Sequence, residues 1–164
     1  MRKRKATTPW FTLTDDADPK TVAATYRGAL IAQRHRLKDI SIDVLSDAPW
    51  PGEVESAVAQ LQSRLTPRKS RLFPWVTRDP GVTVDLDPSD DADFALALAI
   101  APYTIGGTGI SNEIMIIWDG NDTGTSGAFE LTADEHQAVV ATIQQEGGDP
   151  TQLIPLHHRG PTPS

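Results

Sequence analysis

At 164 residues the chain fits one domain with a real core, and its 15 Lys and Arg against 22 Asp and Glu leave a net charge of −7. The absence of cysteine excludes a disulfide framework and a thiolate metal site, and points to a reducing cytoplasm. No apolar segment follows the basic Met1–Lys5 as a secretory leader requires, and the longest apolar run, Phe94 to Tyr103, is too short to span a bilayer, so the expectation is a soluble, non-secreted, cytoplasmic protein.

Residues 1–8 read as a flexible basic arm, carrying Arg2, Lys3, Arg4 and Lys5 ahead of a net-acidic body. A single domain is expected over 9–156. Trp10 to Thr14 alternates as a short strand. Asp18 is placed to cap a helix with Pro19 at its first position, and Val22, Tyr26, Leu30 and Leu37 mark its inward face to about Leu37. Gly28 in mid-helix marks close packing. Lys20, Arg27, Arg34 and Lys38 line the outer side; with Arg68, Lys69 and Arg71 they form the expected basic face. Asp39 to Leu45 alternates as a half-buried strand through Ile40, Ile42 and Val44. After the loop Asp47–Pro51, Val54, Val58, Leu61 and Leu65 predict a second helix that Thr66-Pro67 ends. Arg68, Lys69 and Arg71 then lie beside Phe73 and Trp75, a pattern able to stack on bases but also expected of a strand with a charged outer side.

Val82, Val84 and Leu86 alternate with Thr83, Asp85 and Asp87, giving a strand with one polar face. Phe94, Leu96, Leu98 and Ile100 alternate with alanines and read as a central strand covered on both sides. Between them Asp85, Asp87, Asp90, Asp91 and Asp93 place five carboxylates in nine residues. With Asp119 and Asp122 they form the candidate surface for a basic protein partner. Tyr103 to Asn112 reads as a loop. Its Gly106-Gly107-Thr108-Gly109 misses a dinucleotide fingerprint, because Asn112 stands where the third glycine belongs and no helix follows. No Walker motif and no Gly-x-Ser-x-Gly elbow is present.

The strongest local pattern is Glu113 to Asp149. Ile114 to Trp118 reads as a strand, Asp119-Gly120-Asn121 as a hairpin turn, and Gly127 to Leu131 as the return strand. Thr132 and Glu135 form a capping box, with His136, Val139, Val140 and Ile143 on one helix face and Gly147-Gly148 as the stop. Asp119, Asn121, Thr123, Gly124 and Glu130 also sit at positions of a twelve-residue calcium loop, but strand-like flanks replace the helices that loop needs. Residues 157–164 form a Pro-containing tail.

The expected fold is a single α+β domain, with a mixed or mainly antiparallel sheet and about three helices packed on one face. Charge is sorted along the chain. Residues 1–78 hold 14 basic and 8 acidic side chains, and residues 79–164 hold one basic and 14 acidic. Either the halves pack with their charges facing, or one pole meets a partner. The functional reading is a non-catalytic protein-binding module of immunity, antitoxin or regulatory type, whose acidic half engages a basic protein. No catalytic residue, metal or cofactor is assigned, and neither nucleic acid nor membrane is an expected partner. Two alternatives are kept. One is a subunit of a phage or other particle, binding copies of itself pole to pole. The other is a small metal-dependent enzyme.

Overall fold

The computed structural model describes residues 8–65, 67–69, 77–80, 82–121 and 126–156. The basic arm up to residue 7, Arg71, Phe73, Trp75, Asp122, Thr123, Gly124 and the tail lie outside the described residues; of Arg68, Lys69 and Asn121 only the backbone is described.

Strand β1 (Trp10–Leu13) leads into helix α1 (Pro19–Gln33). The Asp18 carboxylate accepts from the Lys20 and Thr21 amides at 2.9 and 3.1 Å, so two N–H groups with no helical partner are satisfied. The helix stops at Gln33, passes through a 3₁₀ turn at Arg34–Arg36, and Leu37 already begins β2 (Leu37–Asp43). The expected boundary was four residues later. Leu37 is inward in either conformation, so its burial did not report where the helix ends. Helix α2 (Glu55–Arg64) buries Val58 and Leu61, and β3 (Pro67–Lys69) pairs antiparallel with β4 (Thr77–Pro80). Strand β5 (Thr83–Leu86) follows.

Residues 91–100 correct the sequence expectation. They form α3 (Asp91–Ile100), not a central strand. Asp90 caps it, accepting from the Ala92 and Asp93 amides at 2.9 Å each, and Asp91 and Asp93 lie in the first turn. Alanine and leucine are strong helix formers, and an all-round apolar helix also reads as alternating. The helix contacts β2, β5, α1 and α2.

Tyr103–Asn112 is likewise mostly strand: β6 (Gly106–Ser111) lies between β2 and β7 (Ile116–Asn121). Asp119 and Gly120 are within β7 and not in a turn. Strand β8 (Ala128–Glu130), helix α4 (Ala133–Gln145) and β9 (Leu153–Pro155) complete the chain. The sheet order is β5-β2-β6-β7-β8-β1-β9, with every adjacent pair antiparallel. The described residues form one α+β domain with four helices, the three expected and α3, which was expected as a strand.

The glycines of β6 and β7 make room for one side chain. A Cβ on Gly107 would sit 2.7 Å from Trp118 Cη2, and one on Gly120 would sit 3.1 Å from Trp118 Cζ2 and from Tyr26 Cε1. Trp118, Tyr26 and Phe129 are fully buried, with Tyr26 edge-on to both rings at 6.1 and 5.1 Å. Gly28 brings α1 against α4: a Cβ there would meet Thr142 Cβ at 3.1 Å and Val139 Cα at 3.3 Å. The Thr132–Glu135 capping box forms, and His136 stacks on Phe11 at 4.3 Å between ring centroids.

Candidate functional site: the open face of the sheet

Strand burial alternates so that one face of the sheet carries the core and the other does not. In β2, Ile40 and Ile42 are buried while Asp39, Ser41 and Asp43 are exposed or half-buried; in β5, Val84 and Leu86 are buried while Thr83 and Asp85 are exposed. Register then assembles rows across this open face. Asp85 pairs with Ser41, Ser41 with Thr108, and Thr108 with Asp119. In the next row Thr83 pairs with Asp43. In the row on the other side Asp39 pairs with Ile110 and Ile110 with Ile116. Four carboxylates from three strands (Asp39, Asp43, Asp85 and Asp119) therefore share one surface.

Two of these carboxylates are ordered by hydroxyls. Thr83 Oγ1 donates to Asp43 Oδ1 at 2.6 Å, and Ser41 Oγ donates to Asp85. Between Asp43 and Asp119 lies a shallow cleft of about 220 Å³, lined also by Ser41, Thr83 and Thr108 and floored by Gly106 and Gly107. A Cβ on Gly106 would lie 2.5 Å from Asp43 Oδ2, so the bare backbone is what leaves room for the carboxylate. The cleft can accept a cationic side chain. Among the described residues no group of three or more His, Asp and Glu converges as metal ligands.

The acidic residues expected as a partner surface have different surroundings in the fold. Asp85 and Asp119 join the open face. Asp90 is spent as the α3 cap. Asp87 accepts from Ser89, whose hydroxyl and amide hold its carboxyl below the ordinary range. Asp93 is held down by Arg64, 2.6 Å away, and then by the Asp87 amide. Asp91 is exposed and meets Arg34 at 2.6 Å. Asp39 and Asp43 were missed as site residues. Their alternation along β2 was visible, but their neighbours on β5 and β6 were not.

Glu130 accepts from Arg36 at 3.0 Å, and Asp119 lies in mid-strand opposite Ala128.

Of the expected basic face, the described side chains are Lys20, Arg27, Arg34 and Lys38. Arg27 pairs with Glu146, which raises its pKa, and Arg34 reaches the Pro88 carbonyl at 2.8 Å and lies over the Phe94 ring. Lys20 and Lys38 are exposed, on α1 and β2. Five ion pairs join described residues of the basic first half to carboxylates of the second: Arg27–Glu146, Arg34–Asp91, Arg36–Glu130, Arg36–Glu135 and Arg64–Asp93. Four described arginines of the first half are thus paired with five carboxylates of the second. No described helix is long and apolar enough to cross a membrane.

No family model matches the sequence, and no curated protein or solved structure shows significant similarity to it.

Proposed function

We propose that the chain is a non-catalytic protein-binding module that engages a basic protein partner, and that the contact surface is the open face of the sheet. The observation that carries this reading is the placing of Asp39, Asp43, Asp85 and Asp119 from β2, β5 and β7 on the exposed to half-buried face of the sheet. Like charges side by side on a sheet cost stability, and here two of them are kept in place by Thr83 and Ser41. Such a face speeds encounter with an oppositely charged protein and sets its orientation. The pairing of Arg27, Arg34, Arg36 and Arg64 inside the chain leaves less positive surface for pole-to-pole assembly, so the particle-subunit reading has weaker support. A metal-dependent enzyme has weaker support still, since Glu130 is engaged by Arg36.

The test is affinity capture with the wild-type chain and with Asp43→Asn/Asp85→Asn/Asp119→Asn, followed by titration of the captured protein at two salt concentrations. Binding should weaken at least about tenfold in the triple variant and fall with salt. A captured protein whose affinity ignores both changes refutes the assignment of this face.

A further inference from the structure

The turn joining β6 to β7 departs from expectation in two independent ways. The Ser111 amide donates to Met115 O at 2.8 Å and the Ile114 amide to Ser111 O at 2.9 Å, which is the bonding of a three-residue hairpin loop. Such loops place one residue in the left-handed region, where glycine is usual. Here that residue is Ile114, with φ of 59°. A β-branched side chain at positive φ is disfavoured, and nothing in the core compensates, because Ile114 is 74% exposed. Met115 and Ile116 after it are 59% and 50% exposed. Three consecutive apolar side chains at a hairpin tip, one of them strained, are poor choices for stability alone.

The tip is continuous with the open face. Ile116 pairs with Ile110 and Ile110 with Asp39. We infer that Ile114, Met115 and Ile116 are an apolar anchor for a basic amphipathic segment of a partner protein, whose Lys or Arg residues meet Asp39, Asp43, Asp85 and Asp119 while its apolar side chains cover the tip. This rests on the reading of the open face as a docking surface, and adds to it the anchor and the chemistry of the partner segment. Charge complementarity decides the occupant. A second copy of this chain would set the same carboxylates against each other, whereas a basic segment meets them with opposite sign. Binding energy at such surfaces concentrates in a few apolar anchors within a polar rim.

The test uses the full chain and two synthetic helical peptides of equal length and equal positive charge. One carries Lys with Leu at helical spacing; the other carries Lys with Ser at those positions. Fluorescence anisotropy should show the Leu peptide binding about tenfold more tightly, which corresponds to burial of roughly one aliphatic side chain. Ile114→Asn should abolish that preference while raising the melting temperature by about 2–4 °C, because asparagine tolerates positive φ. Met115→Ser, away from the strained position, should also reduce the preference. Equal binding of the two peptides, or a preference that survives both substitutions, overturns the anchor and leaves the acidic face standing. Failure of both peptides to bind the wild-type chain overturns the face and the anchor together. A concentration-dependent dimer abolished by Ile114→Asn would assign the tip to a second copy and overturn the proposal.

Discussion

Replacing Arg36 with methionine keeps an aliphatic stem of similar reach and removes every charged contact of the residue. In the wild type Arg36 Nε and Nη2 donate to the two oxygens of Glu135 at 2.7 and 2.9 Å, Nη1 donates to Glu130 Oε1 at 3.0 Å, and Nη2 also reaches the Glu130 carbonyl. Burial pulls the guanidinium pKa down, but the bonds to Glu135 and Glu130 outweigh it and the net shift is upward. Glu135 is 6% exposed, and its Oε2 closes the α4 capping box by accepting from the Thr132 amide at 2.8 Å. Without Arg36 this carboxylate keeps, among the described residues, the Thr132 bond. Breaking a buried ion pair costs about 3–5 kcal/mol, and the 22% exposure of Arg36 lowers that to about 2–3 kcal/mol. For a chain of this length the melting temperature should fall by about 5–10 °C. Urea unfolding followed by circular dichroism measures the loss. Glu135→Gln retains an oxygen for Thr132, so a double-mutant cycle isolates the pair, and its coupling should be at least about 1 kcal/mol. An Arg36→Met variant within about 0.5 kcal/mol of wild type, or a coupling near zero, refutes the claim that this cluster ties α1 and β2 to α4.

Gly107→Ala should cost about 1–3 kcal/mol and alter the near-ultraviolet signal of Trp118, because the new methyl must displace the indole or the Ser41 carbonyl 3.3 Å away. Gly52→Ala, with nothing within 4 Å, is the control, and equal stability of the two variants would remove the steric account. The acid limb of stability should depend on Asp18, lowered mainly by the Thr21 hydroxyl, and on Asp93, lowered mainly by Arg64. Their folded pKa values lie below the ordinary 3.8, so their contribution is present above that value and disappears as pH falls through the folded one. Denaturant midpoints should therefore be flat from about pH 6 to 5 and drop below about pH 4. Asp93→Asn should lower the plateau and shallow the drop; parallel acid limbs for variant and wild type would exclude Asp93 as a source.

Helices α1, α2 and α4 were legible because each carries apolar residues at helical spacing, and α1 and α4 also open on a cap whose bonds form locally. Strands β2 and β5 were legible from their alternation. The α3 segment misled because apolar residues on all sides satisfy a period of two as readily as a period of 3.6 when both faces are covered. Strand β6 was missed for the opposite reason. Gly106, Gly107 and Gly109 supply no pattern, because the volume above two of them is filled by Trp118 from the neighbouring strand.

For the candidate site the division is similar. Asp85 and Asp119 were visible as acidic residues in or beside strands, but nothing local joined them to Asp39 and Asp43. In the run from Asp85 to Asp93, three carboxylates, Asp87, Asp90 and Asp93, also serve the entry and packing of α3.

Length, charge, lack of cysteine, the caps and the helical faces are properties of neighbouring residues, and the amino-acid order alone determined them. The order of strands, the matching of basic first half to acidic second half, and the gathering of carboxylates from β2, β5 and β7 were decided only by the tertiary structure. The reason is that local patterns report which face of an element is buried, whereas adjacency across a sheet depends on how distant strands pair. That pairing here is set by the shape around Trp118 and by which segment becomes the helix over β2 and β5.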